Sequence, residues 1–221
     1  MRLSGSTVST PRQSDVELLQ AWRSGDAKSG ERLFDRHFSA LNGFFRAKLA
    51  HGVEDCVQQT LLACLEGRDR IRDDGHFRAY MFGAARRVLY GVYEKRRKDE
   101  TEPDFSVASL VELEPGLQTK HIAREDERLL LEGLRRLPLD YQITLELRFW
   151  QGLTGPQLAE ALGVPEGTVR TRIRRGLARL KDIMATLEAG EEALESTSTR
   201  LSEWARAIHD STDSTGSTDA D

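Results

Sequence analysis

Cysteine is nearly absent from this chain, and the two it has exclude several classes at once. Cys56 and Cys64 lie eight apart on what reads as one helix, so they cannot bridge each other, and neither has a Cys-x-x-Cys or Cys/His spacing. A disulfide scaffold and a metal site are set aside, and small buried apolar residues are their expected role. No apolar run approaches the ~20 residues that a membrane span needs. Met1 to Ser14 is polar, lacks the apolar core of a signal peptide and is expected to be disordered. No nucleophile–base pairing or phosphate loop is present and the histidines are scattered, so no enzyme, cofactor or metal is expected. No stretch alternates at period two, which leaves no strong case for a sheet. The chain reads as soluble and cytoplasmic.

What is present is helical period almost everywhere. Val16, Leu18, Leu19 and Trp22 stripe a first helix, and Asp26 is placed to cap a second. There Leu33, Phe34, Phe38, Leu41, Phe45 and Leu49 recur at three and four. Gly52 closes the turn, and Val53 to Glu66 forms a third helix with Val57, Leu61, Cys64 and Leu65 inward. A loop from Gly67 to Gly75 precedes a long fourth helix, Phe77 to Lys98. Residues 15–98 thus make one small helical domain. Residues 99–122 carry Pro103, Pro115 and many acids, and read as an extended acidic linker. A second helical unit spans residues 123–187, with Leu137-Pro138 separating its first two helices. The fold class is all-α, two small helical domains joined by that linker.

Charge is segregated, which matters more than the net value of -4. Lys95 to Lys98 is basic, the linker is acidic, and residues 188–221 carry nine acids against Arg200 and Arg206. From Thr168 to Lys181 every charge is basic: Arg170, Arg172, Arg174, Arg175, Arg179 and Lys181.

That basic run ends a helix-turn-helix. Thr154 and Gln157 have capping-box spacing, and Leu158, Ala159 and Leu162 supply a buried side. Gly163 suits a left-handed helix end and Pro165 the first turn of the next helix. Val169, Ile173, Leu177 and Leu180 face inward, leaving Thr168, Arg170, Thr171, Arg172, Arg174 and Arg175 to reach phosphates and base edges in a major groove. A solvated charged face has the same pattern in other helices.

Two further surfaces carry chemistry. Asp55, Gln58, Gln59 and Leu62 share one face of the third helix, where acid and amide groups suit an arginine-bearing partner helix; a merely solvated face has the same spacing. Around the fourth helix, Arg68, Arg70, Arg72, Arg78, Arg86, Arg87, Lys95 and Arg96 stand among rings, and Tyr80 is the ring best placed to stack on an unpaired base. Phe77, Phe82 and Val88 belong to the core instead.

Residues 15 to 187 resemble bacterial RNA polymerase sigma factors of the extracytoplasmic-function class. The motifs fall in that family's order: Asp15-Val16-Glu17-Leu18-Leu19 with Gly25-Asp26 and Leu33-Phe34-Asp35-Arg36-His37; Glu54-Asp55-Cys56-Val57-Gln58; Phe77 to Arg86; then Leu137-Pro138, Leu145 to Phe149, Gly152-Leu153-Thr154 and Gly163 to Arg170. The resemblance implies a promoter-specificity subunit with two partners, core polymerase (beta-prime clamp and beta flap) and promoter DNA. It implies that Asp55, Gln58, Gln59 and Leu62 dock on core polymerase. It implies that the loop and fourth helix hold the melted minus-ten element, with a flipped base near residues 67–76. It implies that the helix-turn-helix reads the minus-thirty-five element. A further partner to seek is an anti-sigma factor, or a kinase acting on the Ser/Thr-rich C-terminal extension.

Two departures stand out. Gln59 occupies a position where the family commonly has glutamate, with Gly52-Val53 replacing its usual acidic start, and Arg87 stands where asparagine is usual. The linker is either a plug for a basic channel or a plain spacer. From Leu187 a seven-residue repeat, Leu194, Leu201 and Ile208, runs into the acidic, Ser/Thr-rich extension 188–221, which is either a regulatory segment or a solubilising tail. The alternative function is a helix-turn-helix operator-binding regulator with an N-terminal sensor or dimerisation domain.

Overall fold

The helices that start at Asp15, Ala27 and Gly155 begin where the sequence supplies a side-chain cap. The computed structural model describes residues 13–72, 75–99 and 125–187. The expectations for most of the N-terminal stretch, for the linker and for the C-terminal extension lie outside these residues. Helix α1 (Asp15–Arg23) starts at Ser14, whose N–H donates to Glu17 Oε2 at 2.7 Å while its hydroxyl accepts from the Glu17 N–H. Helix α2 (Ala27–Arg46) starts at Asp26, which accepts from the Lys28 N–H at 3.1 Å and the Ser29 hydroxyl at 2.6 Å. Gly52, at φ +77°, takes the left-handed turn into α3 (Val53–Glu66).

A short 3-10 turn, Arg68–Arg70, leads toward α4 (Phe77–Asp99). After residue 124 come α5 (Glu125–Arg135), α6 (Leu139–Phe149), α7 (Gly155–Leu162) and α8 (Glu166–Thr186). The described residues are all-α, without a strand. The α7–α8 pair is the anticipated helix-turn-helix: the Thr154 N–H donates to Gln157 Oε1 at 2.9 Å, and Gly163 sits at φ +65°. Pro165 stands one step earlier than expected, as the extended residue just before α8, where its missing N–H costs nothing.

The core does not divide where the sequence does. One buried cluster joins Leu18, Trp22, Leu33, Phe44, Phe45, Phe77 and Phe82 of the first half to Ile143, Leu147, Leu158, Leu162 and Val169 of the second. Helix α4 lies between α3 on one side and α7 on the other. Gly83 allows that second contact, since a Cβ there would stand 3.3 Å from the Ala161 carbonyl oxygen. A smaller cluster, Leu130, Leu134, Leu137, Leu145, Leu180 and Met184, closes α5 and α6 onto α8. Cutting a ring such as Phe82, fully buried at 0% exposure, back to Ala would cost about 3–5 kcal/mol.

Periodicity misplaces two apolar residues. The helical period points Phe38 and Leu65 inward, yet they are 48% and 51% exposed. Both line an open groove between α2 and α3, so the apolar arc is wider than the α2–α3 contact covers.

Candidate nucleic-acid and protein interfaces

Helices α2 and α3 form between them an open, mainly apolar groove of about 400 Å³. Phe34 and Phe38 form one wall, and Val57, Leu61, Leu62 and Leu65 the other, with Asn42, Glu54 and Gln58 at its edges. Leu62 is 49% exposed, a large apolar cost to leave in water without a partner. Of the four residues expected on the protein-docking face, Gln58 and Leu62 line this groove, while Asp55 and Gln59 are exposed but do not line it. Sequence reasoning missed Phe38, Leu61, Leu65 and Glu54. The signal was there: apolar residues at Val57, Leu61, Leu62 and Leu65 cover more of the helix circumference than one buried stripe requires.

Both cysteines lie on α3 and are buried, so burial raises both thiols, Cys64 to about 12. They are poor thiolate donors. Among the described residues no cluster of His, Cys, Asp or Glu could hold a metal.

The residues expected to meet melted DNA separate into two sets. Arg70, Arg72, Arg87 and Lys95 are exposed, and Arg96 is half-buried. Arg68 is also half-buried, its guanidinium 5.6 Å from the Trp22 ring centre and 3.3 Å from the Asp69 carboxylate. Tyr80 is half-buried with its hydroxyl pressed against Gly67, where no Cβ would fit: one would stand 1.7 Å from that oxygen. Arg78 and Arg86 instead turn toward the second half. Arg78 donates to the Gln151 carbonyl and, at 3.2 Å, to its side-chain oxygen. Burial lowers its pKa, which the Asp15 charge partly offsets.

Arg86 lies 3.7 Å from the Asp140 carboxylate and 4.8 Å from the Tyr90 ring. Asp140 is a hub. It also accepts the Tyr90 hydroxyl at 2.6 Å and pairs with Arg172 of α8 at 3.1 Å. Burial, then the Asp140 hydrogen bond and charge, push the Tyr90 phenol up to about 12.

On α8, Thr168, Arg170, Arg174 and Arg175 are exposed on one continuous surface, as a groove-reading helix requires. Thr171 spends its hydroxyl on the Gly167 carbonyl at 2.9 Å, and Arg172 points back to Asp140. The expected set therefore splits into four outward residues and two turned toward the protein's own helices.

Three further side-chain contacts tie the halves together beyond the shared core. Lys48 pairs with Glu146, and within the first half Tyr93 donates to the Lys48 carbonyl at 3.0 Å. His76 meets Glu160, and Gln157 Nε2 donates to the Gly75 carbonyl at 3.3 Å. Periodicity could not find these pairs, because each joins residues at least 45 positions apart in sequence.

Comparison with known proteins agrees with this geometry. The family described as "Sigma-70, region 4" matches residues 127–180, the helix-turn-helix module. An ECF RNA polymerase sigma factor EcfG of Rhodopseudomonas palustris is 30% identical over 135 residues, covering 61% of this chain and 72% of that one. An ECF RNA polymerase sigma factor SigM of Mycobacterium tuberculosis is 27% identical over 180 residues, covering 80% and 88%. The solved structure of CnrH in complex with the cytosolic domain of CnrY shares the fold with a TM-score of 0.57 at 23% identity, covering 79% of this chain and 99% of that one. The sigma factor RpoE bound to the anti-sigma factor NepR from Bartonella quintana gives 0.56 at 21% identity, covering 70% and 96%.

Proposed function

The chain belongs to the ECF RNA polymerase sigma factors, and from that premise we propose that it binds core RNA polymerase, directs it to specific promoters and helps melt the minus-ten region. One observation carries the reading. A single chain presents an exposed apolar groove flanked by Asp55, Gln58 and Gln59, and a helix-turn-helix whose second helix turns Thr168, Arg170, Arg174 and Arg175 outward. An operator-binding regulator needs the second surface and would use the first only as a dimer contact, which would not call for its acid and amide edge.

The roles follow from chemistry. The groove and its polar edge dock on a core polymerase helix that brings apolar side chains and arginines. Helix α8 contacts phosphates and base edges of the minus-thirty-five element. The cations at Arg68, Arg70, Arg72, Arg87, Lys95 and Arg96, with Tyr80, hold the melted strand, so binding free energy offsets unstacking and no chemical step is assigned to the chain. Arg78, Arg86 and Arg172 join only after the two halves separate, because each is now engaged inside the protein.

No described helix is long and apolar enough to cross a membrane, and a protein that binds core polymerase works in the cytoplasm. A protein inhibitor that covers the groove is a further partner to seek, as the anti-sigma complex of the Bartonella quintana relative suggests.

The test is to mix the purified protein with sigma-free core polymerase and assay initiation at a genomic promoter. A stable, initiating complex that is lost in Leu62→Asp supports the reading and its docking face. Tight operator binding without any complex would give the case to the ordinary regulator.

A further inference from the structure

Arg23, at the end of α1, belongs to no surface described so far. Its Nε donates to the Arg68 carbonyl at 3.1 Å, and its Nη2 donates to the Ile71 carbonyl. These two oxygens bracket the 3-10 turn, 45 and 48 residues along the chain. One planar guanidinium therefore clamps both ends of a single turn. The residue before it does related work: the Trp22 ring faces the Arg68 guanidinium, and Trp22 itself is 4% exposed, wedged against Gly30 and Phe34. From below, Ile71 anchors the turn at 2% exposure. Arg70 and Arg72 stand exposed on a backbone held from three sides.

We propose that Arg23 is a positioning residue for minus-ten base capture: it sets the backbone of the 67–72 turn so that the turn discriminates one base of the melted strand. The proposal rests on the reading that this turn meets the flipped base. The physical case is that base selection requires polar groups held in place before the base arrives. A loop free to relax binds phosphate equally well but discriminates poorly. The fork geometry of arginine is essential, because a lysine ammonium keeps the charge and cannot hold two carbonyls in one plane.

The experiment uses holoenzyme reconstituted with full-length wild-type protein, Arg23→Ala, Arg23→Lys and, separately, Arg70→Ala/Arg72→Ala. Each is titrated against single-stranded minus-ten oligonucleotides substituted at one position at a time. Affinity for core polymerase and the thermal midpoint are followed alongside. The expected result is that Arg23→Ala lowers discrimination at one position by roughly tenfold, the scale of one net hydrogen bond. Core affinity is expected to stay within twofold, and Arg23→Lys is expected to behave like Arg23→Ala.

Equal weakening for every oligonucleotide would overturn the proposal, since Arg23 would then be a simple cation near phosphate. Loss of core affinity together with a fallen midpoint would overturn it too, by showing a general structural role, and so would full rescue by lysine. If Arg70→Ala/Arg72→Ala leaves both affinity and discrimination unchanged, the reading of the turn as the DNA contact fails, independently of Arg23.

Discussion

Lys48, just past the end of α2, and Glu146 of α6, 98 residues apart, form an ion pair inside the shared core, with the Lys48 side chain fully buried. The ammonium also donates to the Phe44 carbonyl at 2.9 Å and lies 3.9 Å from the Phe44 ring centre. Burial lowers the Lys48 pKa and raises that of Glu146, and each charge opposes the shift of the other. Removing one partner strands the other charge, so Lys48→Met is expected to destabilise the folded chain by about 3–5 kcal/mol. Lys48→Met/Glu146→Leu is expected to recover most of that loss. Urea unfolding of the three proteins decides it, and equal midpoints for wild type and Lys48→Met would show that the pair contributes nothing.

Helix positions were legible in the sequence to within a residue or two, because each start is written locally: Ser14 with Glu17, Asp26, Gly52, and Thr154 with Gln157. The outward face of α8 was legible for the same reason, as an all-basic stripe opposite Val169 and Leu180. What could not be read was the closure of one half on the other. Lys48, Gln151 and Glu160 give no periodic signal, and their roles exist only once α4 meets α6 and α7. The apolar groove was misread for the opposite reason. Periodicity marks apolar residues and is silent about whether the covering partner is the same chain or another.

Asp140 holds Arg86 and Arg172, two cations from the two expected DNA-binding helices, as a phosphate would. The hold is imperfect, since Arg86 Nε and Arg172 Nη1 are buried without a hydrogen-bond partner. Asp140→Asn is therefore expected to release both arginines and tighten binding of the free protein to promoter fork DNA several-fold, with a steeper salt dependence. Fluorescence anisotropy at two salt concentrations measures both quantities. Unchanged affinity and slope would mean that the arginines stay sequestered without the carboxylate.

Acid should loosen α1 first. Burial alone would raise the Asp15 pKa, but the His37 hydrogen bond and charge, followed by those of Arg36, outweigh it and bring it to about 2. The contacts are short, 2.7 Å to His37 Nε2 and 2.6 Å to Arg36 Nη1. A depressed carboxylate stabilises the fold above its unfolded pKa of about 4, and that stability fades as pH falls through about 2. Asp15→Asn is expected to cost about 2 kcal/mol at neutral pH and to flatten the stability profile between about pH 4 and pH 2. Thermal midpoints across that range test the sign; a variant whose loss is unchanged at low pH would exclude the pairing as its source.

Gln59 sits one turn beyond Asp55 on the exposed edge of α3, next to the groove that Leu62 lines. Placing a carboxylate there sets two like charges four apart, which costs the helix about 0.2–0.5 kcal/mol. Against a basic partner helix the same charge adds attraction, worth up to about 1 kcal/mol at an exposed rim. The balance favours binding, so Gln59→Glu is expected to raise core polymerase affinity several-fold at low ionic strength and progressively less as salt rises. Leu62→Asp is expected to weaken binding at every salt concentration, since apolar burial is not screened. Affinities of both variants at three ionic strengths separate the two contributions. A fall in affinity for Gln59→Glu at low salt would mean that the partner surface facing this edge is not basic.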